Sequence, residues 1–472
     1  MKKIYILASL MCVAGAANAY TTENTGVTYT LASLAEIENS KVTLKEGQTY
    51  QLTENLEIAE TDKLQLLAGD VLEIANDVSI NIYGEAIFNP AEKAYITRTA
   101  EDAEPQGIVF WGKTTLSNLD YSGGGIRYNG TEPLTVDKCD FHDINSKLSK
   151  YGAIQLGFGK SKNNKITNCT FTDLVPGAIN TSANLGVGLL IENNTFSNVS
   201  TQNELCPYIN VSSNAEEPVI VRGNKLYGAK LEKPGGIGVS NMLNTPGKND
   251  VIISGNYVEN CSWGINLIGG MNVQLFDNHV KDNRWDPDNN GGIGVTMYSI
   301  PAYPLEVYAY NNIIEGNKWG PCNVIGTKSN FGKTETDENG LANEGNNVFR
   351  NNYFVNDAGE TVTCDFCNNS QITVYAQNNT WSDAETEEEA AKYVGDTKWN
   401  SNYGTIVYGP IKAASGVKAI MPDFTNTFEG EVELYRLDGV KVFSGDASKI
   451  SEAGEGMYII RQGDKSRKII VK

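Results

Sequence analysis

One short pattern recurs nine times through the middle of this 472-residue chain, and it limits the fold more than any other feature. It reads apolar, x, apolar, two or three polar residues, Asn, x, apolar. Val251-Ile252-Ile253-Ser254-Gly255-Asn256-Tyr257-Val258 is one copy, and Val273-Gln274-Leu275-Phe276-Asp277-Asn278-His279-Val280 is the next. Aligned on the Asn, the copies fall at Cys139, Cys169, Asn194, Asn224, Asn256, Asn278, Asn312, Asn352 and Asn379. Two residues on stand Phe141, Phe171, Phe196, Leu226, Val258, Val280, Ile314, Phe354 and Trp381, all apolar. Period-two alternation sends every second side chain to one face, as in a strand. A fixed local core with variable spacing fits short strands stacked rung on rung, with insertions in the turns. The recurrent Asn turns the chain, tolerates left-handed backbone, and can bond its amide to the Asn of the next rung. Its reading is structural, because such a column satisfies buried polar groups rung by rung.

After each Asn come a second strand, a variable turn and a Gly-led strand, such as Gly236-Ile237-Gly238-Val239 or Gly264-Ile265-Asn266-Leu267. That makes three strands per rung. Over roughly residues 70–410 the pattern resembles right-handed parallel β-helix proteins of the pectate-lyase-like superfamily. The resemblance implies an all-β fold, a right-handed parallel β-helix with an Asn ladder. It also implies a groove along the Gly-led strand and its flanking turns. In the lyase relatives, acids there hold Ca²⁺, and an Arg or Lys removes a proton beside a uronate carboxylate.

The chain divides accordingly. Met-Lys-Lys, an apolar run from Ile4 to Ala17 and Ala17-Asn18-Ala19 read as a signal peptide over 1–19. The run is too short to span a membrane. Residues 20–100 read as N-terminal cap and first rungs, and 101–410 as the β-helix. Asp383 to Tyr393 reads as a short helix before a closing strand. From 413 to 472 the sequence reads strand, Asp438-Gly439 turn, strand, then Gly456-Met457-Tyr458-Ile459-Ile460 and a basic terminal strand. This segment resembles the C-terminal sorting domain of the Bacteroidetes type IX secretion system. The resemblance implies a small β-sandwich, delivery to the cell surface or medium, and the secretion machinery as a partner.

Charge excludes some partners. With 38 basic and 57 acidic residues, the net is −19. Loss of residues 1–19 removes Lys2 and Lys3 only, giving 36 − 57 = −21. Such a chain does not select nucleic acid or anionic lipid. A monomer binding polysaccharide is the expectation. Removing Cys12 leaves seven cysteines, an odd number that fits no complete disulfide framework, so the bland reading is buried small side chains.

The candidate site follows from the rungs. The outward row of the Gly-led strands should be Arg127, Gln155, Asn180, Asn210, Gly238, Asn266, Gly294, Asn323 and Thr363. It carries no acid, unlike the lyases. Arg127, Asn266 and Asn323 are candidate sugar contacts. Trp263, Trp285 and Trp319 each fall seven residues after their Asn, so one corner should carry three indoles for stacking on sugar rings. Beside them Asp286-x-Asp288-x-Asn290-Gly291 has the oxygen spacing that opens a Ca²⁺ loop. Arg284 is the candidate catalytic or uronate-contacting residue. His142 and His279 read as solvated side chains. Two functions stay open: a secreted or surface protein that binds polysaccharide, or a polysaccharide lyase or glycoside hydrolase acting on a uronate-containing glycan, with Ca²⁺ as its candidate cofactor.

Overall fold

The computed structural model describes residues 19–145, 152–157, 159, 161–182, 186–213, 216–247, 249–289, 291–336, 342–414, 430–436, 441–453, 456–462 and 465–471. Residues 1–18 of the expected signal peptide and the Asp438-Gly439 turn lie outside these residues.

Among the described residues, three parallel sheets of fourteen strands each run the length of a β-helix. We number them by their place in the rung. Sheet 1 holds the strands before the Asn corner, such as Asp250–Ser254 and Asn272–Phe276. Sheet 2 holds those after it, such as Tyr257–Glu259 and His279–Lys281. Sheet 3 holds the Gly-led strands, such as Ile237–Ser240 and Ile265–Ile268. Each strand pairs with the equivalent strand one rung away, for example Val251 with Val273 and Val258 with Val280. The rungs begin at Tyr20–Thr21, which pairs with Leu56 and Glu57. A helix at Leu31–Ala35 and one antiparallel pair, Val42–Glu46 with Thr49–Leu52, close that end.

The corner shows why the pattern recurs. The left-handed residue is the one before each aligned position: Lys138, Asn168, Asn193, Gly223, Gly255, Asp277, Asn311, Asn351 and Asn378, with φ from 53° to 65°. Asn, Asp and Gly adopt this conformation at least cost. The following Asn then points inward and bonds along the helix axis. Asn194 Nδ2 donates to Asn224 Oδ1 at 3.0 Å, Asn256 to Asn278 at 2.9 Å, and Asn278 to Asn312 at 3.0 Å. The expectation errs in one rung. Asn312 donates to Asn347, not Asn352, and Asn347 donates to Asn379. Both Asn347 and Asn352 are followed by x-Phe, and packing decides between them: Phe349 is buried in the core, whereas Phe354 is half-exposed.

Asn352 belongs to a second column, five residues further along each rung. Low rungs fill it with Ile144, Leu174, Val199 and Cys261, all buried. Higher rungs use Asn283, Asn317 and Asn352, linked at 3.2 and 3.0 Å. The column ends on Asp365, which accepts from Asn352 Nδ2 at 2.9 Å.

Inward side chains between the corners form the core. Phe141 stacks on Phe171 at 5.0 Å, and Phe171 on Phe196 at 4.8 Å, with rings within 9° of parallel. Each buried Phe contributes roughly 1.5–3 kcal/mol of hydrophobic stabilisation. At the far end Thr386 caps a short helix, Glu387–Ala390, inside the expected 383–393 span. Ile406–Val407 is the last strand of sheet 1.

Residues 415–472 form a second compact unit. In it Lys441–Asp446, Glu431–Arg436, Gly456–Gln462 and Lys465–Val471 make one antiparallel sheet in that order. Val432, Leu434, Tyr458 and Ile460 form its buried face, against Ala447, Ile450 and Ala453 of a 3-10 segment. Among the described residues it is therefore a single sheet covered by a short helix rather than a sandwich of two sheets.

Candidate functional site

Sheet 3 carries the expected row, with its upper end re-registered. Pairing runs Arg127, Gln155, Asn180, Asn210, Gly238 and Asn266, as expected. It then continues Thr296, Cys322 and Cys367, not Gly294, Asn323 and Thr363. The long strand Ile293–Tyr298 shifts the count by two. Asn323, one residue beyond the row, consequently turns inward, since a one-residue slip reverses the face. It is fully buried and donates to Asn368 Oδ1 at 3.1 Å.

Above this row lies a hollow of about 260 Å³ that brings Trp263, Asn266 and Asn210 together, with Gly238 as its floor. The indole of Trp263 lies against Gly235, where a Cβ would come within 2.0 Å of the ring. At Gly238 the bare α-carbon leaves the space open: a Cβ there would be 3.4 Å from Asn210 Oδ1 and 3.6 Å from Trp263. The side-chain oxygen of Asn266 is buried and accepts no hydrogen bond, and so is that of Asn180 two rungs below Gly238. Unpartnered acceptors of this kind cost about 1–3 kcal/mol each, which a donor from a ligand recovers. Among the described residues, the lining includes no Asp, Glu, His, Lys or Arg.

The other candidate residues are placed as follows. Arg127, half-buried, donates to Gln155 Oε1 at 3.1 Å. Burial lowers its pKa. Trp285 is exposed, with Lys230 Nζ 5.4 Å from its ring centre. Trp319 stacks on Phe354 at 4.4 Å and donates from Nε1 to Asn289 O at 2.7 Å. No ring contact joins the three indoles to one another, so the shared +7 offset gives no continuous platform. Arg284 lies over the Tyr353 ring at 4.2 Å and donates to the Tyr353 and Gly316 carbonyls. Its guanidinium thus bridges neighbouring turns.

Around Asp286 one carboxylate oxygen and two backbone carbonyls are engaged. Asp286 Oδ1 accepts from the Asp288 amide at 2.9 Å, and the Lys318 ammonium donates to the Asp286 and Asp288 carbonyls. These two oxygens are backbone carbonyls, whereas the calcium expectation rests on the side-chain oxygens of Asp286, Asp288 and Asn290. Asn290 lies outside the described residues. His142 and His279 sit on sheet 2, each hydrogen-bonded to carboxylates rather than solvated. His142 bonds Asp120 and Asp143, each at 2.8 Å. Burial pushes its pKa down, and the two carboxylates more than offset this, leaving it raised. His279 bonds Glu315 at 2.8 Å, and Arg350 bonds the other oxygen. Burial raises the Glu315 pKa, but these two partners bring it down to about 2.

A larger concavity, of about 1010 Å³, lies on sheet 1, where no motif pointed to it. Its aromatic rings are already engaged. Tyr310 stacks on Phe276 at 4.9 Å, Tyr308 meets Tyr310 edge-on, and Lys333 sits 4.6 Å over Tyr375. The hollow on sheet 3 is smaller, yet it holds the unpartnered polar atom.

A family model described as a right handed beta helix region matches residues 106–318, the stretch that carries most of the ladder and the hollow. Neither the curated proteins nor the solved structures return a match.

Proposed function

We propose that this protein binds polysaccharide on sheet 3, with one sugar ring seated in the hollow against Trp263. The observation that carries the reading is the unpartnered Asn266 oxygen beside a half-buried indole. A sugar offers what both lack: a hydroxyl donor for the amide oxygen and a C–H face for the ring. Asn210 supplies a further amide, and Gly238 the depth. Among the described residues the lining offers amides, hydroxyls and an indole, groups that hold a sugar by hydrogen bonds and stacking. The activity we infer is binding. A screen of the full chain against neutral and uronate-containing polysaccharides, followed by calorimetry, tests this. Ultraviolet absorbance of an unsaturated product in the same samples would signal a lyase instead.

Delivery to the cell surface or medium completes the proposal. The Ala17-Asn18-Ala19 motif ends immediately before Tyr20, the first residue of the first rung. In the C-terminal unit the Gly456–Gln462 strand is central, paired on both sides, as suits a compact signal read by a sorting machinery. Secretion of a chain ending at residue 412 tests that role, and unchanged release would refute it.

A further inference from the structure

Three of the seven buried cysteines meet at one place. Cys322, Cys364 and Cys367 form their own cluster, covered by Ile293, Trp319, Val324 and Tyr403. Cys322 and Cys367 are register partners on adjacent parallel strands of sheet 3. Such partners sit about 4.8 Å apart at Cα, inside the roughly 4.4–6.8 Å range that a disulfide spans. Both occupy the outward row, so their side chains leave the sheet on the same side. Cys364 enters the same cluster from the segment just before the second strand.

We propose that Cys322 and Cys367 form a disulfide under oxidising conditions, with Cys364 as the thiol able to exchange into it. The oxidant is a disulfide of a small thiol. A thiolate at Cys367 attacks one sulfur of that disulfide and expels the other as a thiolate, leaving a mixed disulfide. Cys322, as its thiolate, then attacks the Cys367 sulfur and expels the second small thiol. Two protein thiols lose two protons and two electrons; one small disulfide becomes two thiols. Hydrogen bonds from Cys322 and Cys364 favour Cys367 as the attacking sulfur, since they pull its thiol down, while burial pushes Cys364 up. The bond closes an excursion of 367 − 322 = 45 residues that contains the antiparallel pair Tyr353–Val355 and Thr361–Thr363. Cross-linking across a loop of that length restricts the unfolded chain and stabilises the native one.

The test uses the full chain, both native and refolded, in glutathione disulfide. Samples are unfolded in iodoacetamide without reductant and weighed beside a reduced control. The expected result is two fewer alkylated thiols than the control, a cross-linked peptide pair containing Cys322 and Cys367, and a Tm that falls on adding reductant. Cys367→Ser should abolish the loss of thiols, Cys322→Ser should move the bond to Cys364–Cys367, and Cys139→Ser should change nothing. Equal alkylation of oxidised and reduced wild type overturns the proposal, and so does a wild-type bond mapped predominantly to any other pair. The wild-type measurement stands even if a variant fails to fold.

Discussion

Asn352 donates both its backbone amide and its side-chain amide to one oxygen of Asp365, at 3.2 and 2.9 Å, so a column of amides ends on a carboxylate. The other oxygen accepts from Ser382 Oγ at 2.6 Å. Burial raises the Asp365 pKa to about 6, with a smaller push from Asp383, against the bonds from Ser382 and Asn352 that lower it. The folded chain therefore holds this proton more tightly than the unfolded chain does. Stability falls as pH rises from about 4 to about 6, by about 3 kcal/mol from this group. Asp365→Asn keeps the acceptor and removes the charge. Urea unfolding at pH 4 and pH 7 should show the variant more stable than wild type at pH 7 and nearly equal at pH 4.

The opposite sign holds at the first rung. The amides of Asn24, Thr25, Gly26 and Val27 donate to the Asp62 carboxylate at 2.8–3.0 Å. Burial raises its pKa, but these bonds and one from Thr22 outweigh it and leave it lowered. The stabilisation is present above the ordinary carboxylate pKa of about 4 and is lost as pH falls through the lower folded value. Hydrogen exchange should show these four amides losing protection first on acidification. Asp62→Ala should expose them at neutral pH.

Within the first ladder, Asn278 donates to Asn312, Ile253 and Phe276 and accepts from Asn256. Asn278→Ala removes the acceptor that both the backbone and side-chain amides of Asn256 use, and the side-chain donor to Ile253 O, in the interior. A loss of about 2–4 kcal/mol is expected by urea denaturation.

At the hollow, Trp263→Ala should weaken polysaccharide binding by about 1–2 kcal/mol, roughly 5- to 30-fold. Trp319→Ala should instead lower the Tm, because its ring packs on Phe354 and the cysteine cluster. Calorimetry and thermal melts on the two variants separate these effects.

Chelation probes the Asp286 turn. With the Lys318 ammonium on both carbonyls, removal of divalent cations should leave the Tm and the binding affinity unchanged. Lys318→Ala should lower the Tm.

How far the sequence speaks depends on what kind of constraint each residue obeys. Asn194 to Asn312 and the apolar residue two beyond each were legible because a local corner and a period-two strand impose them directly. The rung at Asn347 was not, since Asn347-Val-Phe and Asn352-Tyr-Phe are equivalent locally and both follow a left-handed residue, Asn346 and Asn351. Only stacking against neighbouring rungs distinguishes their columns. The same limit misplaced Asn323, because one residue of register reverses the face. Trp263, Trp285 and Trp319 share an offset, but their surroundings come from distant chain: Gly235 under one, Lys230 over another, Phe354 against the third. The row through Asn266 could be read from sequence; its missing hydrogen-bond partner could not.

The central claim is that a sugar occupies the space above Gly238. That space can be filled without straining the backbone, because a Cβ there meets only ordinary contacts. The deciding measurement is the affinity of Gly238→Leu, beside wild type, for whichever polysaccharide the screen identifies, with the Tm of both recorded. The account predicts a loss of at least about tenfold, equal to about 1.4 kcal/mol, at an unchanged Tm. Equal affinity in a folded Gly238→Leu variant would place the sugar elsewhere and contradict it.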